Sequence, residues 1–193
     1  MSAFNEEDSL AVISEMISVA KRSFMRVSYY FLLWGWLLLA AGLLEYVLRN
    51  VLDMRHIAWI GWPLVGILGG IFAALRGRKE STTVGAITYM DRVFMYLWGG
   101  FVVTLVLVIV TNLMRHSNPG PAIIILTGLP TFVSGGVMRF RPLIVGGLLF
   151  WLLGLLAYIA PGEYSSLLFC AAIAAGYLVP GYLLQKAERD GRI

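Results

Sequence analysis

Apolar residues in this chain neither alternate nor keep to one helical face; they run almost unbroken for roughly 18 to 22 positions at a time. Six such runs predict six transmembrane helices, at residues 27–48, 57–75, 93–113, 121–138, 143–160 and 165–184. Each is long enough to cross a hydrocarbon core of roughly 30 Å as a tilted helix. Every run ends where Arg, Lys, His, Asn, Pro or Gly gathers, and the connections Arg139 to Pro142 and Pro161 to Tyr164 leave room only for tight antiparallel turns. The pattern predicts an all-α polytopic bundle over residues 27–184, between a lead of residues 1–26 and a tail of residues 185–193. Four carboxylates precede the first run, whose apolar core exceeds that of a cleavable signal, so it is expected to stay in the mature chain.

Composition agrees with the pattern. Of 193 residues, 59% are hydrophobic and only 13% charged, against roughly 25% charged in a soluble domain. No stretch remains for a separate soluble domain of about 100 residues. The single cysteine, Cys170, lies inside an apolar run, which excludes an intramolecular disulfide and a cysteine metal cluster.

The net charge of +4 changes the picture through its placement. Lys21, Arg22, Arg26, Arg76, Arg78, Lys79, Arg92, Arg139, Arg141, Lys186, Arg189 and Arg192 fall at one side of the predicted spans; Arg49, Arg55 and Arg115 fall at the other. Twelve against three predicts both termini in the cytoplasm. Bases at helix ends orient a protein in a lipid bilayer, so no nucleic-acid partner is expected. Tyrosines gather at the ends too, with Tyr29, Tyr30, Tyr96 and Tyr182 inside and Tyr46, Tyr158 and Tyr164 outside, which suits rings at the headgroup level.

Beneath the spans lies a repeat. Leu33-Trp34-Gly35-Trp36, Leu97-Trp98-Gly99-Gly100 and, more loosely, Phe150-Trp151-Leu152-Leu153-Gly154 sit at similar depths in the odd spans. Gly61-Trp62-Pro63 followed by Gly69-Gly70, and Gly128-Leu129-Pro130 followed by Gly135-Gly136, do so in the second and fourth. Three helical hairpins are expected, the third diverged. Gly66, Gly70 and Ala74 form a ladder of small residues in span two, and Ala172, Gly176 and Pro180 form one in span six. Small residues let backbones approach closely, so the even spans are expected nearer the bundle centre. Pro130, in mid-span, should kink its helix, with Thr127 and Thr131 bonding nearby carbonyls.

The lead reads as a cytoplasmic helix. Asn5 suits an N-cap, Glu6, Glu7 and Asp8 occupy the first turn, and Lys21 and Arg22 the last. Leu10, Ile13, Ile17, Ala20 and Phe24 form an apolar stripe, opposite Ser14, Glu15, Ser18, Lys21 and Arg22. That face needs a cover: the protein's own bundle, a cytoplasmic or membrane protein partner, or lipid, although the acidic first turn is repelled by anionic headgroups.

Catalytic chemistry is sparse. No predicted span holds Lys, Arg, Asp or His near its centre, and Glu45, close to the outer end of span one, has Arg49 four residues later as an ion-pair partner. Neither a His-Glu-x-x-His spacing nor a serine nucleophile elbow occurs. Glu45, Asp53, His56, His116 and Glu163 fall on the outer side, where carboxylate and imidazole suit zinc, but they come from separate loops at no diagnostic spacing. No cofactor and no enzymatic activity are expected.

The segments Tyr29-Tyr30-Phe31-Leu32-Leu33-Trp34-Gly35-Trp36, Leu129-Pro130-Thr131-Phe132-Val133-Ser134-Gly135-Gly136 and Phe140-Arg141-Pro142-Leu143-Ile144-Val145-Gly146-Gly147, behind Glu7-x-Ser9-Leu10, resemble a group of small bacterial six-helix membrane proteins without established activity. The pattern of three hairpins is also similar, in architecture alone, to short-repeat membrane proteins linked to acid resistance. Neither resemblance transfers a functional residue.

The leading expectation is a sensor or accessory subunit that engages a partner through Leu10, Ile13, Ile17, Ala20 and Phe24. The alternative is a small-solute transporter or channel built on three hairpins, and a homo-oligomer is compatible with either. Topology is directly testable. Single cysteines replacing Ser2, Ser81 and Arg192 should label from the cytoplasmic side, and those replacing His56 and Ser117 from outside; an inverted pattern would overturn the charge assignment.

Overall fold

The computed structural model describes residues 27–81 and 89–190, so the lead, with Leu10, Ile13, Ile17, Ala20 and Phe24, lies outside the described residues. Six helices follow in order. Helix α1 spans Val27–Val51, its last turn Val47–Val51 widened to π geometry. A short 3-10 turn, Ala58–Ile60, leads into α2, Gly61–Ser81. Helices α3, Tyr89–Met114, α4, Gly120–Val137, and α5, Arg141–Ile159, come next. Helix α6 runs Ser165–Arg189 with a π turn, Ala174–Leu178, at its middle. All six are long and apolar enough to cross a membrane, which makes this a multi-pass membrane protein. The six predicted spans match in number and order, with α2 continuing past residue 75 to Ser81, α3 starting at Tyr89 rather than 93, and α6 continuing past residue 184 to Arg189.

Glycine decides which helices meet. A Cβ on Gly135 would stand 2.5 Å from the Ile144 nitrogen, and one on Gly147 2.7 Å from the Phe132 nitrogen. With Gly154 against Ile125, these contacts bring α4 and α5 backbone to backbone along most of their length. Gly146 of α5 approaches the Gly176 carbonyl on α6, and Gly176 in turn lies under the Phe150 ring. On the other side of α6, Gly35 and Gly42 of α1 receive Leu178 and Cys170, while Gly181 faces Leu32. Phe150, Ile124, Leu143, Ile173 and Leu184 fill the space between.

The remaining helices are peripheral. Helix α2 lies along α1, with Trp34 packed on Gly69 and the Arg76 guanidinium 4.5 Å over the Tyr29 ring. Helix α3 touches α4, and its Trp98 meets Phe31 of α1 edge to face. The expectation that even helices lie centrally holds for α6 and α4, with 56% and 44% of their spans buried, and fails for α2, at 22% less buried than α5 at 33%. The reason is on its surface. Gly66 and Gly70 have no atom within 4 Å of a built Cβ, and Ala74 is exposed, so this ladder packs against no other helix among the described residues. Gly136 is open as well, whereas Gly135, Ala172 and Gly176 are buried.

Leucine at Gly135 or Gly176 should therefore destabilise the purified protein by about 1–3 kcal/mol or more, because backbone or a packed ring must move. Gly70→Leu should stay within about 0.5 kcal/mol of the parent. Thermal unfolding in mild detergent checks both, and equal loss in all three variants would contradict the assignment of faces.

Candidate functional site

Two buried polar groupings stand out against an apolar bundle. The first is a row on α4. Thr127, Thr131 and Ser134, spaced by four and three, share a face and are all buried. A hydroxyl survives in such a place by bonding back to its own helix. Thr127 Oγ1 donates to the Ile123 carbonyl at 2.7 Å, and Thr131 Oγ1 to that of Thr127 at 2.8 Å. Ser134 Oγ has no partner among the described residues. Pro130, fully buried between the two threonines, leaves α4 one continuous helix, its missing donor tolerated beside these bonds.

Across from this row stands Tyr177, brought inward by the π turn of α6. Its hydroxyl lies close to the Thr131 side chain. Its ring lies edge to face on Phe31 at 5.3 Å and on Phe150 at 5.1 Å. The four aromatic and hydroxyl-bearing helices α1, α4, α5 and α6 thus meet around one phenol. A widened turn and a proline at one depth are features that membrane helices often carry at functional positions.

The second grouping joins the start of α1 to the end of α6. Ser28 Oγ donates to Glu188 Oε2 at 2.6 Å, a length typical of a charge-assisted bond. Glu188 is only 6% exposed and Ser28 only 3%, and Glu188 Oε1 is buried without a partner among the described residues. A carboxyl group with one satisfied oxygen is held here at the end of the α1–α6 seam, which Gly181, Gly35 and Gly42 close along the length leading away from it.

At the opposite end the predicted outer groups do not converge. Glu45 is occupied by Trp62 Nε1 at 3.0 Å and Arg49 at 3.5 Å, bridging α1 and α2. Asp53 pairs with Arg55 at 3.1 Å, the His56 carbonyl accepts from Trp59, His116 ends α3 with a positive φ, and Glu163 lies in the 3-10 turn Gly162–Tyr164. Among the described residues no three His, Cys, Asp or Glu come close enough to hold a metal ion. No family model matches the chain, and comparison with curated proteins and with solved structures returns no match.

Sequence reasoning missed Glu188 because it sits in a charged tail, Lys186-Ala187-Glu188-Arg189-Asp190, that looks solvated. Its signal was the stripe Tyr177, Gly181, Leu184 and Glu188, which continues one helix face past the apolar run. Ser28→Ala should cost about 1–3 kcal/mol, since it removes the hydroxyl that donates to the buried Glu188 carboxyl group. Combining it with Glu188→Met should recover most of that loss, as removal of both polar partners is far cheaper than removal of one. A thermal-unfolding cycle over the four proteins checks the coupling, and additive losses would show that the bond holds nothing.

Proposed function

We propose that this chain is a non-enzymatic sensor or accessory subunit that engages a protein partner through its amphipathic lead. The observation that supports it most is the filling of the bundle's middle. Pro130, Thr131, Ser134, Phe150 and Ile173 are fully buried at the depth where a solute path would need an opening. The distinctive polar contact, Ser28 to Glu188, lies instead one residue from where the lead joins α1. It fixes the point from which residues 1–26 depart, and a fixed departure point reduces the ordering cost of presenting a recognition helix.

The same reading puts both termini in the cytoplasm of a bacterial inner-membrane protein, in line with the twelve bases at that end. The reading of three hairpin repeats rests on the matched Trp-Gly and Gly-x-Pro segments of the sequence, and Trp34 on Gly69 joins the two helices of the first hairpin. A transporter or channel is the second reading. It draws on Pro130 and the π turn of α6, and it requires the Thr131–Tyr177 contact to open.

Replacing Ile13 and Ile17 by Ser tests the leading role, with a loss on the order of 2 kcal/mol for each side chain if it is well buried. Affinity purification in mild detergent should show the partner lost while the thermal stability of the purified protein stays near the parent value. A fall in stability, with co-purifying proteins changing only as far as folding does, would mean that the lead covers its own bundle.

A further inference from the structure

The turn between α4 and α5 breaks two local rules within three residues. Arg139 has φ 52°, a left-handed conformation. Its amide donates to the Gly136 carbonyl at 3.1 Å, and the Phe140 amide to that of Gly135 at 2.8 Å. These paired bonds define a helix end whose left-handed residue is ordinarily glycine. Asp53 and His116, the other non-glycine residues with positive φ among the described residues, are of types enriched there; arginine is not. Two residues on, Arg141 opens α5. A helix amino terminus carries positive partial charge, so a cation at its first position is disfavoured.

Nothing among the described residues accounts for either choice. Phe140, extended between them, packs against the core, while Arg139 and Arg141 are both exposed and make no side-chain hydrogen bond or ion pair among the described residues. The dipole of α4 favours a cation at 139, yet that of α5 opposes one at 141. What satisfies both is an anion held between them. One helical turn before Arg139, exposed Gly136 has open space where a side chain would stand, which leaves room alongside α4 for the body of a lipid. The turn joins two membrane-crossing helices, so it lies at headgroup level.

We propose that Arg139 and Arg141 bind the phosphate of an anionic phospholipid. Guanidinium groups match phosphate geometry and stay charged at the membrane surface. The site is independent of the partner reading above and of which leaflet meets this end of the bundle.

The test is thermal unfolding of the full-length protein in mild detergent, with phosphatidylglycerol, phosphatidylcholine or inorganic phosphate added. For the parent, phosphatidylglycerol should raise Tm by about 4 °C beyond phosphatidylcholine, and inorganic phosphate should not reproduce this. Arg139→Gly and Arg141→Gln should each lose at least about half of that lipid-specific shift, and the double variant all of it. Arg139→Gly should not unfold the lipid-free protein, because glycine adopts φ 52° without strain. Arg92→Gln, at an exposed base on the same end, should keep the full shift. Three outcomes would overturn the site: retention of the shift by the double variant, an equal loss in Arg92→Gln, or full stabilisation by inorganic phosphate alone.

Discussion

Everything in this bundle depends on how closely α5 and α6 can be approached. In lipid, helices gain nothing by hiding apolar side chains from one another, so association rests on packing at short range. Gly135, Gly147 and Gly154 let α4 lie on α5, and Gly146 lets α5 lie on the backbone of α6 at Gly176. Once these three helices are fixed, Phe150 has one place to go, over Gly176, and Tyr177 stacks against it. Helix α1 then takes the free side of α6 through Gly35, Gly42 and Gly181. Helices α2 and α3 are added at the edge of this core of four, α2 through Trp34 on Gly69, Trp62 with Glu45 and Phe169, and Arg76 over Tyr29, and α3 through Trp98 on Phe31 and its contacts with α4.

The same closeness explains which polar groups the interior accepts. Threonines on α4 are admitted because each turns its hydroxyl to a carbonyl four residues earlier, which needs no neighbour. Tyr177 is admitted because Thr131 lies within reach of its hydroxyl. Ser134 and Glu188 each keep a buried oxygen without a partner among the described residues.

The spans were readable because the length of an apolar run is set by the membrane and survives any arrangement of the helices. Which face of each span turns inward was not, because a helix apolar all round carries no periodic signal to read. Gly66-Gly70-Ala74 and Gly176-Pro180 look alike as ladders, yet only the second meets another backbone. The difference lies in partners: Gly146 supplies α6 with a matching hollow, and no described helix supplies one to α2 at Gly66 and Gly70. The Glu45–Arg49 pair was legible from spacing alone, since residues four apart on a helix are neighbours whatever surrounds them. Trp62 as a second partner for Glu45 needed the α1–α2 contact. Ser28 and Glu188, 160 positions apart, needed the whole fold.

Departures from local rules gather at one end of the molecule. The buried carboxylate of Glu188, the left-handed Arg139 and the cation at the first position of α5 all belong to the end where α1 begins and α6 finishes. At the opposite end α1 closes in a π turn, but the charged and turn residues follow the rules: Glu45, Arg49, Asp53 and Arg55 are paired, Asn118 accepts from the Gly120 amide and donates to Ser165, and the left-handed residues are Asp53 and His116. Selection tolerates local cost where something outside the fold repays it, and a bundle under purely structural demands would spread such costs over both ends. Among the described residues the charged groups whose local cost nothing in the fold offsets therefore lie where α1 begins and α6 finishes.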